Sequence, residues 1–256
     1  MVKIFIDPGH GGNDPGATAN GLQEKNLTLA IAVKIRDLLS NYENVQVRLS
    51  RSDDRTVSLK QRTDMANTWG ADYLVSVHIN AGGGVGYEDF IYTSASTKSV
   101  AYQNVMHAEI IKQLDFVDRG KKRGNLHMVR VSRMPAILTE NGFIDNPGDA
   151  AKLKQTSYIE RIARGHVNGI VSIFRLKAKS QAQTQAQVTQ PRVERKLSGM
   201  KPNWADWQWE EAADIFRKAR EKGIITSDQW EKKAATKNLT FDELEYLNLV
   251  LYGRVI

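Results

Sequence analysis

The chain opens on a short, largely apolar run, Val2-Lys3-Ile4-Phe5-Ile6, which ends at a glycine-rich turn and reads as a buried strand. From Asn26 to Ser40 the apolar residues Leu27, Ala30, Ile31, Ile35, Leu38 and Leu39 recur at the spacing of an amphipathic helix, with Asn26 placed to cap it. The same alternation continues. Val45 to Leu49 is expected as a second strand, Ser58 to Trp69 as a helix with Leu59, Met65, Ala66 and Trp69 inward, and Tyr73 to Ile79 as a third, nearly all-apolar strand. Tyr87 to Thr93 then reads as a strand and Thr97 to Leu114 as a long helix. Leu126 to Arg130 and Ala136 to Glu140 read as short strands, and Tyr158 to Leu176 as a last helix with Ile159, Ile162, Ala163, His166, Val167, Ile170, Val171 and Phe174 on one stripe. Strands alternating with helices of this length predict an α/β fold, a mostly parallel twisted sheet flanked by helices on both faces.

After residue 176 the pattern stops. Residues 177–199, rich in Gln, Ala and Thr, have no apolar period and are expected as a flexible linker between a catalytic domain (1–176) and a small all-α C-terminal domain (200–256). Thr226 to Gln229 and Thr240 to Glu243 have the form of capping boxes, and Gly253 suits a helix end. Four of the five tryptophans, Trp204, Trp207, Trp209 and Trp230, fall in this segment, either as a miniature core or as faces for sugars or a second subunit.

Composition narrows the chemistry. With no cysteine, disulfides, thiolate metal ligands and cysteine nucleophiles are excluded, so any metal must be held by His and carboxylate. The net charge of +7 favours a polyanionic partner: nucleic acid, an anionic membrane surface or an anionic wall polymer. No recognised nucleic-acid motif is visible, and no apolar run approaches the ~20 residues that insertion in a bilayer requires. Arg119-Gly120-Lys121-Lys122-Arg123 is expected as a solvated loop. Gly82 to Gly86 lacks the Lys-Ser/Thr of a phosphate cradle and is expected as a flexible rim loop. Met1 to Asp7 is too short and too soon polar for a signal peptide, so synthesis in the cytoplasm and later release are expected.

The candidate chemistry centres on Asp7-Pro8-Gly9-His10-Gly11-Gly12, where glycines place an imidazole on a tight turn. Glu24 precedes the first helix, His78 ends the third strand in Ser76-Val77-His78-Ile79-Asn80, and Glu140 ends a later one in Leu138-Thr139-Glu140-Asn141-Gly142-Phe143. Parallel strands bring their carboxyl ends to one sheet edge, where such folds bind ligands, so these four groups are expected to converge. Singly, each also has an ordinary structural role: a first-turn carboxylate, a core histidine, an arginine's partner. Two imidazoles and a carboxylate form a known catalytic zinc set, and the fourth group remains free to act on water.

In these motifs, with Asp14-Pro15-Gly16-Ala17 and Asn146, the sequence resembles the zinc-dependent N-acetylmuramoyl-L-alanine amidases of the Amidase_3 type over about residues 1–175. The resemblance implies that His10, Glu24 and His78 bind Zn2+ and that Glu140 is the catalytic acid/base in cleaving peptidoglycan between N-acetylmuramic acid and L-alanine. Arg51-Ser-Asp-Asp and Leu59-Lys-Gln-Arg62 fit the same pattern, with structural duties expected. Asn80 is a candidate for orienting substrate, His127 for a supporting role at the site, and Asp7 for fixing the His10 ring. His166 is expected in the core, and His107 in a helix without a ligand-spaced partner. Another zinc peptidase or amidohydrolase, or a non-enzymatic wall-binding protein, are the alternative readings. The basic charge fits anionic wall polymers, and a homo-oligomer through the C-terminal domain stays open.

Overall fold

The computed structural model describes residues 1–179, 206–221 and 227–240, and the chain divides into two compact units, 1–184 and 185–256. In the first, the elements run β1 (Val2–Pro8), β2 (Thr18–Ala19), β3 (Leu22–Gln23), α1 (Glu24–Leu39), β4 (Val45–Leu49), α2 (Leu59–Trp69), β5 (Tyr73–Asn80) and β6 (Tyr87–Tyr92). There follow α3 (Thr97–Gln113), β7 (Asp118–Gly124), α4 (His127–Val131), β8 (Ala136–Phe143), α5 (Pro147–Leu153) and α6 (Thr156–Phe174). Six strands form one sheet in the order β4-β1-β5-β8-β6-β7. The four strands from β4 to β8 are parallel; β6 runs antiparallel to β8, and β7 lies parallel to β6 at the edge.

The period-two alternation of the central strands divides the core. Ile4, Ile6, Val75, Val77 and Ile137 point to one face and join Ile31 and Ile35 of α1, Met106 and Ile110 of α3, and Ile162 and Ile170 of α6. Phe5, Leu74, Ala136 and Leu138 point to the other, against Ala66 of α2 and Met128 and Val129 of α4. Because both faces are covered, the central strands read as continuous apolar runs.

Several expectations change. Glu24 is the first residue of α1 rather than a loop residue, with Gln23 at the N-cap position in place of Asn26. In α2, Leu59 is 52% exposed and Met65 36%, while Arg62, Thr63 and Ala66 are buried: this helix turns a polar stripe inward. Leu126 to Arg130 is not a strand, since His127–Val131 form the short helix α4. The basic stretch at 119–123 lies within edge strand β7. The Gly82–Gly86 loop is pinned, with the amides of Gly82 and Gly83 donating to Asp145 and that of Gly86 to Asp149. Residues 177–179 belong to the first unit, where Glu43 N donates to Lys177 O and Lys179 N to Asn41 O. His107 joins no group of metal-ligand spacing among the described residues; its Nδ1 is 2.7 Å from Asp89 and its Nε2 3.0 Å from Asp118, stitching α3 to β6 and β7.

His166 is fully buried as expected, its ring between the Ile162 carbonyl at 2.8 Å and Thr139 Oγ1 at 3.0 Å. Burial pulls its pKa from 6.5 down to about 4, with the bond to Ile162 opposing. The neutral ring is therefore a stabilising feature that is complete above pH 6.5 and is lost as pH falls toward 4, by about 3 kcal/mol. Urea unfolding between pH 7 and 4.5 is expected to show a steeper loss of stability in the wild type than in His166→Gln; parallel curves would refute this.

Among the described residues of the second unit, α7 (Asp206–Glu221) carries buried Trp209, Ala212 and Phe216, α8 (Gln229–Ala235) carries buried Ala234, and Leu239 just after it is also buried. Trp209 thus belongs to the miniature core, whereas Trp230 is half-buried under the Lys233 ammonium. The helix near the first expected capping box begins at Gln229 with Asp228 as its N-cap, not Thr226. Trp204, the side chain of Trp207, Thr226, Phe241 to Glu243 of the second capping box, Gly253 and most of the expected linker lie outside the described residues.

Candidate active site

Past the end of β1 the chain makes the tight turn that carries His10. The histidine itself takes the left-handed conformation at φ 61°, followed by Gly11 at φ 129° and Gly12 at φ 60°. A non-glycine residue there costs of order 1–3 kcal/mol and persists only where the surroundings hold it. Here they do. Arg62 Nη1 donates to the Pro8 carbonyl at 2.6 Å and Nη2 to the His10 carbonyl at 2.6 Å, while Arg51 Nη2 and Thr28 Oγ1 donate to the Gly9 carbonyl at 2.9 and 2.8 Å. Lys25 Nζ takes the Gly12 carbonyl at 2.9 Å, and Asp54 accepts the Gly12 amide at 2.7 Å. Two buried guanidiniums thus collect carbonyls that the turn aims inward, which is the structural duty expected of the Arg51 and Arg62 motifs.

Glu24, at the first turn of α1, is the hub. Its Oε2 lies 3.1 Å from His10 Nε2 and its Oε1 2.9 Å from His78 Nδ1. The backbone amides of Ala17 and Ile79 each donate to this carboxylate at 3.0 Å and fix its orientation. Burial pushes the Glu24 pKa up, but the hydrogen bonds and charges of both imidazoles hold it well below the ordinary carboxylate range. Burial lowers His10, yet Glu24 and Asp14 raise it to about 9; His78 is raised for the same kind of reason, by Glu24 and Glu140. The two rings meet edge to face with centroids 5.0 Å apart. Gly9 is required here, because a Cβ on it would come within 2.2 Å of the His78 ring.

One donor atom from each of His10, Glu24 and His78 lies within 4.8 Å of the others, a spacing that closes readily onto a tetrahedral ion with bonds of ~2.0–2.2 Å. Nitrogen and carboxylate oxygen are also the donor types zinc accepts, so the residues fit the metal. Glu140 completes the set. It pairs with His78 across the β5–β8 ladder, so the two side chains leave the same face of the sheet. Its Oε2 is buried with no hydrogen-bond partner. Burial raises its pKa to about 7, with Glu24 and Glu88 adding to the shift and the charges of His78 and His10 opposing.

The lesser candidates fare differently. Asp7 does not touch the His10 ring; its carboxylate accepts Arg62 Nη1 at 2.8 Å, Ser50 Oγ at 2.6 Å and Ser76 Oγ at 2.7 Å. The alternation of β1 sends Asp7 to the same face as Phe5, toward α2, and so to Arg62. The ring is oriented instead by Asp14, whose Oδ2 is 2.8 Å from His10 Nδ1. Asp14 stands four residues after His10 within a motif already singled out, which was the available signal. Asn80 Nδ2 is engaged by Glu88 at 2.8 Å. His127 turns to α2, its Nε2 3.3 Å from Thr63 Oγ1.

The family described as N-acetylmuramoyl-L-alanine amidase matches residues 4–172, about two thirds of the chain. The chain belongs to the N-acetylmuramoyl-L-alanine amidase family. The chain is 57% identical over 189 residues to N-acetylmuramoyl-L-alanine amidase CwlM of Bacillus licheniformis, covering 73% of this chain and 75% of that one. It is also 57% identical over 181 residues to the sporulation-specific N-acetylmuramoyl-L-alanine amidase of Bacillus subtilis, covering 70% and 71%. Among solved structures, the catalytic domain of the amidase CwlV from Bacillus (Paenibacillus) polymyxa superposes with a TM-score of 0.66 at 35% identity, covering 69% of this chain and all of that domain. The amidase domain therefore has the sheet and helix arrangement of its relatives.

Proposed function

We propose that this amidase is a zinc-dependent peptidoglycan hydrolase that cleaves the amide joining the lactyl group of N-acetylmuramic acid to L-alanine. The observation that carries the reading is the convergence of His10, Glu24 and His78 beside Glu140, whose buried Oε2 lacks a partner. Family membership supplies the substrate bond. His10, Glu24 and His78 would hold the zinc, which would supply a Lewis acid able to lower the pKa of water toward ~7. Glu140, beside the ligand cluster with its buried Oε2 unpartnered, is placed to take the proton of the attacking water as the C–O bond forms. It then returns that proton to the alanine nitrogen as the C–N bond breaks. Asp14 and the two amides on Glu24 keep the ligands oriented, as partners of metal ligands do. No serine or cysteine nucleophile is needed.

The place of action is the bacterial wall, reached after release of the chain, in the manner of a phage endolysin or a lytic autolysin. The unit at 185–256 is assigned to holding the enzyme on the wall or to dimerisation, a reading that rests on its tryptophan-rich segment, while the net charge of +7 of the whole chain favours anionic wall polymers. Incubating purified sacculi with the protein is expected to release new L-alanine amino groups without new reducing sugars, to stop on addition of chelator, and to resume with zinc. Reducing sugars, or silence with zinc present, would end the amidase reading. In the same assay, a chain truncated after residue 184 is expected to cleave but to bind sacculi less or lose mass as an oligomer; unchanged binding and mass would remove the role given to the second unit.

A further inference from the structure

We propose that Arg119 is a specificity residue of this site, recognising a carboxylate on the stem peptide just beyond the scissile amide. The inference rests on the amidase reading and extends it to the peptide side of the bond. Its basis is a row of side chains crossing the sheet at one level. Glu140 pairs with His78 on β5 and with Glu88 on β6, so all three project from one face. On the far side of β6 the ladder slips: Tyr87 pairs with Asp118 and Asp89 with Lys121, leaving Arg119 and Gly120 together opposite Glu88. This is a bulge, with Gly120 at φ 80°, and bulges re-aim the side chains they carry.

The re-aimed side chain is Arg119. Its Nε donates to Glu88 Oε2 at 2.9 Å, and its guanidinium carbon sits 4.9 Å from the centre of the Phe143 ring. Glu88 is itself only 7% exposed, and its other oxygen accepts Asn80 Nδ2 at 2.8 Å. Bulge, ion pair and aromatic face therefore fix the arginine. Its two terminal nitrogens nevertheless have no hydrogen-bond partner among the described residues, and the side chain is 36% exposed. Neutralising Glu88 uses one edge of the guanidinium and leaves the other as a preorganised fork, the geometry that matches a carboxylate. Lys121 and Arg123 of the same strand are tied to Asn104 and the Thr93 carbonyl.

Distance sets where that carboxylate must lie. Neighbouring strands are ~4.8 Å apart, so a guanidinium turned back onto Glu88 stands roughly one to two strand spacings from Glu140. An extended peptide advances ~3.5 Å per residue, which places the recognised group one or two residues past the scissile amide. In peptidoglycan the residue after L-alanine carries a carboxylate that is left free in some walls and amidated in others. Arg119 favours the free acid.

The test uses the full chain with zinc and two disaccharide pentapeptides that differ only in that group, acid or carboxamide. The wild type is expected to prefer the acid by about ten-fold in kcat/KM, with the difference in KM. Arg119→Ala is expected to collapse the preference below two-fold, and Arg119→Lys to restore part of it. An equal loss on both substrates would make Arg119 a mere partner of Glu88, and a wild type without preference would also overturn the proposal. Failure of the wild type on both pentapeptides and on sacculi would instead overturn the amidase reading.

Discussion

Replacing Glu140 by Gln is expected to lower turnover of sacculi by about 10²–10⁴-fold while leaving one zinc bound per chain. The amide keeps the size and position of the carboxyl on β8 but cannot accept the proton of attacking water. It is also no burden to the fold, because the buried Oε2 makes no hydrogen bond that the exchange would break. His10→Ala and His78→Ala should differ in kind, losing metal together with activity, since each removes one of the three clustered donors. Metal content by atomic absorption beside the rate of amino-group release separates the two classes. Loss of zinc from Glu140→Gln would make that residue a ligand and would require a different proton acceptor.

Arg62→Met is expected to destabilise the protein by about 3–5 kcal/mol, the usual result of removing one partner from a buried ion pair. Asp7 would remain fully buried with its main counter-charge gone, and the carbonyls of Pro8 and His10 would lose donors at 2.6 Å. Burial opposes ionisation of Asp7, and the Arg62 charge and three hydrogen bonds hold its pKa below the ordinary value. That contribution is present above the ordinary pKa and is lost as pH falls through the lowered one. Denaturant titration at pH 7 measures the effect, with Arg36→Met as the control, because the exposed Arg36–Asp37 pair should contribute less than about 1 kcal/mol. A loss from Arg62→Met no larger than the control's would mean that the turn holds His10 without it. Reduced zinc affinity is expected as well, since the His10 backbone depends on this arginine.

What could be seen in the sequence followed from length and burial. β1, β5, α1 and α3 are long or apolar enough for their period to show. β7 gives no apolar signal because it is an edge strand with charged side chains, so a basic loop and a basic edge look alike until the partner strand is placed. α4 spans five residues, too few for a helical period to be told from a short strand. α2 misleads because what it meets is backbone carbonyls as well as core: Arg62 and Thr63 point inward and Leu59 outward.

The sequence by itself named the four groups that converge. His10, Glu24, His78 and Glu140 each stand in a short motif at the end of a strand or the start of a helix, and parallel topology brings such ends together. Only the tertiary structure decided which aspartate reaches the His10 ring. Asp7 lies nearer His10 along the chain than Asp14 does, but strand alternation commits it to the α2 face and to Arg62, while the left-handed turn at His10 folds Asp14 back onto the ring. Glu88 likewise meets Glu140 through strand register, and Arg119 meets Glu88 through a bulge, relations between segments that no local pattern encodes.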